Sequence, residues 1–348
     1  LKLLLSFLVL VPISVALELA HAPALLVFSA AAAAIVPLSI LLGRSTEEVA
    51  IHAGPSLGGF LNASLGNLAE LIITLLALRQ GLVEVAKASL TGSILGNLLL
   101  ILGASLVAGG ATQLKLTFNR RAAGVWSSML ALAVVGLGIP SAFALTHRDV
   151  PGGAPLMLSV IVAVFLLVIY FLQLFFVFRT HRAIVTAGIP EVHTQPQWSM
   201  KLALGVLVGS ALLIGLESEI LVGTISATVS ILGWSEIFLG LVIIPIIGNA
   251  AEHATAVWVA AKHQMDLSLG IAVGSSTQIA LLVAPVLVLA SLIMGTPMDL
   301  VFTPFEVISL AMAVAIVSLI ALDGESNWLE GAQLLTVYGI LAVAFYYY

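Results

Sequence analysis

Two glutamates stand where hydrocarbon should exclude them. Glu70 closes the run Gly66-Asn67-Leu68-Ala69-Glu70, and Glu252 closes Gly248-Asn249-Ala250-Ala251-Glu252, each inside a long apolar stretch. Acidic side chains at membrane depth are costly and mark ion or proton pathways by default. Each acid follows a glycine by four residues and an asparagine by three. Residues four apart share a helix face, so the carbonyl of Gly66 and the carboxylate of Glu70 can address one point, with Asn67, Glu70 and Thr74 as a polar stripe. Glycine here, with Pro245 three residues before Gly248, favours a kink that frees backbone carbonyls. Freed carbonyls at that depth are tolerated only where they line a cavity or meet an ion.

Two carboxylates with carbonyl, amide and hydroxyl oxygens form the ligand set of a hard divalent cation. Calcium suits such a flexible cage best, and manganese is its competitor. The same carboxylates can carry protons. Desolvation and a neighbouring like charge favour the neutral form of an acid, whereas a bound dication favours the ionised form, so proton and metal exclude one another. That competition, joined to rocking of one half of the chain against the other, is sufficient to couple outward metal movement to inward proton movement.

The elements that must hold these acids are membrane helices. The 348 residues are 61% hydrophobic and 8% charged, with a mean hydropathy of +1.20. A soluble domain carries about 25% charged residues, so lipid must solvate much of this surface. The net charge of -5 gives no basic footprint for nucleic acid. The absence of cysteine removes disulfides, thiolate metal sites and thiol nucleophiles. The chain starts at Leu1 rather than methionine, so an N-terminal piece is expected to precede it, and the first apolar stretch lacks a clean signal-peptide cleavage pattern.

Eleven apolar runs near the ~20 residues of a bilayer crossing can be laid along the chain, at roughly 1–19, 23–43, 57–78, 83–109, 122–146, 154–178, 201–231, 236–260, 267–295, 304–322 and 327–348. The seventh is long enough to be tilted or broken. Helices are expected, because only they satisfy their own backbone where water is absent. The fold class is therefore an all-α polytopic membrane protein.

The motif belongs to a longer duplication. A shift of 182 positions superposes Gly58 on Gly240, Gly66 on Gly248, Asn67 on Asn249, Ala69 on Ala251, Glu70 on Glu252, Gly92 on Gly274 and Ser93 on Ser275 without a gap. The acids Glu84 and Asp266 also coincide. The third and eighth runs are five crossings apart and must point oppositely, which makes an inverted repeat. The expected organisation is an extra N-terminal helix (1–19), a first five-helix repeat (20–178), a cytoplasmic connection (179–200) and a second five-helix repeat (201–348). Eleven crossings place Lys2, Arg44, Lys115, Arg120, Arg121, Arg179, Arg182, Lys201 and Lys262 on one side, against Arg79, Lys87 and Arg148. The positive-inside bias then puts the N-terminus in the cytoplasm and the C-terminus outside.

GNLAELI followed by SLTGSILGNLLL, and GNAAEHATAV followed by QMDLSLGIAVGSSTQIALL, resemble the two alpha repeats of the calcium/proton exchangers, within the calcium/cation antiporter superfamily. The resemblance implies that Glu70 and Glu252 bind the cation at midplane, assisted by carbonyls near Gly66 and Gly248. It implies supporting roles for Asn67, Asn249, Ser93, Asn97, Ser275, Ser276 and Gln278, and gating movements of the second and seventh helices. Calcium is then the transported substrate, with manganese as an alternative and no cofactor, in the plasma membrane of a prokaryote; a homo-oligomer is compatible with this plan. Sodium/calcium exchangers of the superfamily tend to carry a GTS-type or PE-containing motif, so the GNxAE form and His253 favour protons, with sodium exchange as the alternative. Eukaryotic members often have an acidic helix between the halves; here residues 179–200 contain one acid, Glu191, which speaks against a regulatory calcium store there.

Other polar residues carry two readings each. His253 points about 100° from Glu252 around a helix, as direct ligand, proton relay or structural histidine. Glu217 and Glu219 either recruit cations at an outer mouth or sit solvated at the interface. Glu47 and Glu48 are read as a solvated helix end or a cytoplasmic mouth. Ser93, Ser275 and Gln278 either line the site or bond between helices. A passive cation channel is the rival class. A hydrolase lacks an HExxH motif or a serine and base constellation.

Overall fold

The computed structural model describes residues 7–147, 153–181 and 195–348, so Lys2, Arg148, Asp149, Arg182 and Glu191 lie outside the described residues. The described chain is helical apart from a two-residue antiparallel ladder, Leu116–Thr117 (β1) with Glu325–Ser326 (β2). In order, the helices are α1 (Leu10–Leu19), α2 (Ala24–Ala53), α3 (Pro55–Leu65), α4 (Leu68–Arg79), α5 (Val83–Gly110), α6 (Arg120–Thr146), α7 (Ala154–Thr180), α8 (Met200–Gly223), α9 (Ile225–Leu232), α10 (Glu236–Gly248), α11 (Ala250–Ala261), α12 (Met265–Met294), α13 (Pro304–Ala321) and α14 (Trp328–Tyr346).

Eight of these are long and apolar enough to cross a membrane, and ten crossings result if each bent pair counts as one. The expected eleven is not reproduced by that count. The difference lies in broken runs: α3 and α4 meet at a bend of 41°, and α9 and α10 at 113°. The long seventh run indeed breaks, α8 ending at Gly223 and α9 starting at Ile225. The first run contributes only the short α1 among the described residues.

Lipid exposure can be read along α7. Ser159, Ala163, Leu166 and Tyr170, spaced four, three and four, are buried, while Met157, Ile161, Val164, Phe165, Val168, Phe171, Leu172 and Phe175 are exposed. A face that apolar and that exposed is suited to hydrocarbon, not water.

The chain divides into two compact units, each drawing on both halves of the sequence: Leu1–Ser89 with His193–Glu252 and Phe345–Tyr348, and Leu90–Val192 with His253–Ala344. In the first unit α8 lies along α2 and α4. Leu38, Leu42 and Val49 of α2, Ala69 of α4 and Ala203, Leu207 and Ile214 of α8 form its core cluster. The two helices expected to act as gates, α2 and α8, are thus packed partners. In the second unit α6 packs on α13, α12 and α7. Its loop 295–303 is fastened by buried serines: Met298 N–H donates to Ser291 Oγ at 2.9 Å, Leu300 N–H to Ser159 Oγ at 2.9 Å, and Phe302 N–H to Ser141 Oγ at 2.8 Å. Backbone amides removed from water require such partners.

The 182-residue shift holds in the backbone as well. Helix α4 (Leu68–Arg79) maps onto α11 (Ala250–Ala261) with no offset at either end. The π-helical turn Gly96–Ile101 within α5 corresponds to Ile279–Val283 within α12. The left-handed turn at Gly81, φ 79°, falls on His263, φ 63°. Two glycines of the repeat also share a reason. A Cβ on Gly58 would collide with the Ala50 carbonyl oxygen, and one on Gly240 would lie 2.8 Å from that of Val85, so neither position admits a side chain without moving backbone. The matched acids Glu84 and Asp266 each stand in the first turn of a helix, where negative charge complements the helix dipole. Asp266 Oδ1 accepts the Asn119 N–H at 2.6 Å, and the exposed Glu84 faces the buried Lys87 at 3.5 Å.

Candidate cation-binding site

Both motif breaks occur at the asparagine. Asn67 (φ -95°, ψ 27°) precedes α4, and Asn249 (φ -89°, ψ 11°) separates α10 from α11. This bridge conformation is sparsely populated and common at functional sites. Pro245 has no N–H to continue the ladder, and its own carbonyl is taken up locally, accepting from both Asn249 N–H and Asn249 Nδ2 at 3.0 Å. The helix that follows each asparagine carries its glutamate in the first turn.

The first unit brings Glu70, Gly248 and Glu252 together. The Glu70 side chain lies against the bare Cα of Gly248: a Cβ there would be 3.5 Å from Glu70 Cγ and 3.6 Å from Oε1. Glu252 is near enough for its charge to act on Glu70. Glu70 is buried, and its Oε2 has no hydrogen-bond partner. Thr74, the third member of the polar stripe, directs its hydroxyl back to the Glu70 carbonyl at 2.6 Å and does not reach the carboxylate. Asn67 and Asn249 are buried and Glu252 is half-buried. A buried carboxylate oxygen with nothing to accept from, beside a second acid, is arranged to receive a cation or a proton.

The second unit holds the remaining candidates. Ser93, Asn97, Ser275 and Ser276 are buried and Gln278 is half-buried. His253 Nε2 lies 3.1 Å from Asn97 Oδ1, in the π-helical turn of α5. With hydrogen on Nε2 the imidazole donates to the amide oxygen, while Asn97 Nδ2 is buried without a partner. The histidine is therefore engaged with an amide. Ser276 spends its hydroxyl on the Ala272 carbonyl, 2.9 Å away in its own helix.

Two acids read from sequence as solvated are not. Glu217 is fully buried, because Ser210, Ile214, Glu217 and Leu221 form the inward face of α8 at spacings of four, three and four. Its neighbour Glu219 points outward and is exposed. Glu48 is buried at the end of α2, and its Oε2 accepts the N–H of Gln197 at 2.9 Å and of Trp198 at 3.1 Å, fixing the approach to α8; Glu47 is exposed. Among the described residues there is no group of three or more His, Asp or Glu side chains that would hold a metal by itself. A cation here would need carbonyl, amide or hydroxyl oxygens beside the acid pair.

Broken membrane helices, a duplicated acidic motif and a buried carboxylate beside a second, half-buried acid define a polytopic transporter of the cation-exchanger class. The chain belongs to the family described as "Sodium/calcium exchanger protein", which matches residues 23–179 and 202–347. It is 43% identical to a Ca(2+)/H(+) antiporter of Synechocystis sp., over the whole of this chain and 98% of that one. It is 42% identical to the Ca(2+)/H(+) antiporter ChaA of Bacillus subtilis, over 97% and 96%. Among solved structures, native YfkE superposes with a TM-score of 0.86 at 38% identity, covering 98% of this chain and all of that one. The H+/Ca2+ exchanger CAX shares the fold at a TM-score of 0.77 and 15% identity, over 99% and 91%.

Proposed function

We propose that this protein exports Ca2+ from the cytoplasm in exchange for protons, with Glu70 and Glu252 taking either Ca2+ or protons. The observation that carries this reading is the buried Glu70 carboxylate, one oxygen unpartnered, beside Glu252. Two adjacent acids resist holding two negative charges unless a dication or protons neutralise them. Relatives 41–43% identical over nearly their full length are named Ca(2+)/H(+) antiporters, which supports protons as the counter-ion.

In this mechanism Ca2+ takes the ionised pair with oxygens of the Asn67 and Asn249 breaks; Gly66, Gly248, Ser93, Ser275 and Gln278 complete the proposed set. Proton arrival at the carboxylates expels the metal, and α2 and α8 shift to expose the pair to one side at a time. Asn97, Ser276 and His253 are proposed as supporting residues, and Glu219 as a residue that draws cations in. The two halves are proposed to be inverted repeats after one extra helix, with the N-terminus cytoplasmic and the protein in a prokaryotic plasma membrane. Mn2+ is the alternative cargo.

The family description favours a second reading, Na+/Ca2+ exchange. Calcium uptake into proteoliposomes under an imposed pH gradient, with Na+ and K+ varied independently, separates the two. Uptake is expected to follow the pH gradient and to be lost in Glu70→Gln and Glu252→Gln. Uptake that tracked sodium and ignored pH would overturn the proton assignment, and ohmic single-channel currents would favour a pore.

A further inference from the structure

One buried acid of the first unit has no part in this scheme. Glu217 sits in α8 with no exposed surface, and among the described residues no basic side chain pairs with it. Its partner is Ser14 of α1, whose hydroxyl oxygen lies 2.7 Å from Oε1 and 2.7 Å from Oε2 of Glu217, and 2.8 Å from the Val11 carbonyl oxygen. Ser14 is itself fully buried. Three acceptor oxygens thus surround a hydroxyl that owns a single hydrogen.

An ionised carboxylate can only accept hydrogen bonds, whereas the acid form brings a hydrogen of its own. With the ionised form, the Val11 carbonyl and both carboxylate oxygens compete for one hydrogen, and a buried negative charge is left with a fraction of one neutral donor. With the acid form, Glu217 donates to Ser14 Oγ and Ser14 donates to Val11 or to the second carboxyl oxygen. Contacts and hydrogens then match, and no charge is buried. The groups that could supply a field are few. Packed against α8 are α1, α2, α4 and α9; they contribute Glu18 from α1, Arg44, Glu47, Glu48 and His52 from the C-terminal part of α2, Glu70 and Arg79 from α4, and none from α9, while α8 itself adds Lys201 and Glu219. Glu18 and Glu219 are exposed acids, and Glu48 is occupied by the amides of Gln197 and Trp198 at the other end of α8.

We propose that Glu217 is a further proton-binding site, separate from the Glu70 and Glu252 pair, held as a neutral acid by Ser14 and able to release its proton when α1 moves off α8. Any part this plays in transport rests on the proton-exchange reading above; the protonation itself does not.

The test is infrared spectroscopy of the full chain in lipid vesicles, in a Glu70→Gln/Glu252→Gln background. That background does not need to transport, and it removes the carboxyl bands of the pair. A carboxylic-acid C=O band that disappears with Glu217→Gln is expected at neutral pH. In Ser14→Ala that band should be lost at a different pH from that in the background protein. Absence at neutral pH of any carboxylic-acid C=O band that Glu217→Gln removes would overturn the proposal, and an identical titration with and without Ser14 would overturn the role of α1. Glu217→Gln keeps the shape and a donor, so retention of its thermal transition shows that the altered spectrum does not come from misfolding. Loss of exchange in Glu70→Gln alone bears only on the pair.

Discussion

Gly248 is the floor on which Glu70 rests: a methyl group at 248 would stand 3.6 Å from Glu70 Oε1, at ordinary contact distance. The two residues come from different copies of the repeat, so each copy supplies part of the surroundings of the other's motif. Gly248→Ala therefore fits the fold while covering the carboxylate. Its thermal transition in detergent should match wild type, and calcium exchange should fall by on the order of tenfold, as for a displaced reacting group. Normal exchange in this variant would show that the glycine face is not used by the cation.

Gly58 and Gly240 differ in kind from Gly248, because the contacts there are with backbone. Gly58→Ala and Gly240→Ala should each destabilise the protein by about 1–3 kcal/mol, the usual cost of overpacking. A lowered thermal midpoint, with calcium affinity unchanged in the protein that stays folded, is the expected signature.

Calcium should stabilise the wild-type protein against heating and leave Glu70→Gln/Glu252→Gln unmoved. At a hundredfold excess over the dissociation constant, a ligand that binds only the native state contributes about 2.7 kcal/mol. Since protons compete for the same carboxylates, the calcium needed for half of that effect should rise as pH falls. A calcium shift of equal size in the double variant would place the ion elsewhere.

His253→Ala removes the donor to Asn97 Oδ1 and leaves the amide of a buried side chain without its histidine partner. A loss of about 1–3 kcal/mol is expected from that unmet polar group, with His253→Gln recovering part of it. Exchange that collapses in His253→Gln while stability holds would instead mark the imidazole as a proton carrier.

Glu48 ties the chain before α8 by two amide hydrogen bonds. Glu48→Ala should make residues 195–200 more susceptible to limited proteolysis, with cleavage there faster than in wild type. The lost pair of charge-assisted bonds is worth about 1.5–3 kcal/mol for each bond at most.

The duplicated motif was legible in sequence because Gly, Asn, Glu and Ser kept in register stand out against a background of Leu and Ala. Its breaks were legible too, since glycine and proline act on the backbone locally. For Glu48 and Glu217 the solvated reading fails for a common reason. An acid near the end of an apolar run is usually solvated, and only the face it occupies reveals otherwise; Glu217 and Glu219 are two residues apart yet point to opposite environments. Hydropathy likewise shows that residues 225–248 are apolar but not that the path turns by 113° at residues 233–235. The Ser14–Glu217 contact joins residues 203 apart in sequence, and nothing in either local sequence announces the other.

His263 adopts the left-handed conformation that its counterpart Gly81 takes without steric cost. A residue with a Cβ pays on the order of 1–2 kcal/mol there. Histidine in one copy thus stands where the other has glycine, with the left-handed turn kept at both. Positions of this sort let two halves of a chain drift apart in chemistry while their backbones stay interchangeable. A search keyed to glycine alone would overlook the correspondence that the dihedral angles preserve.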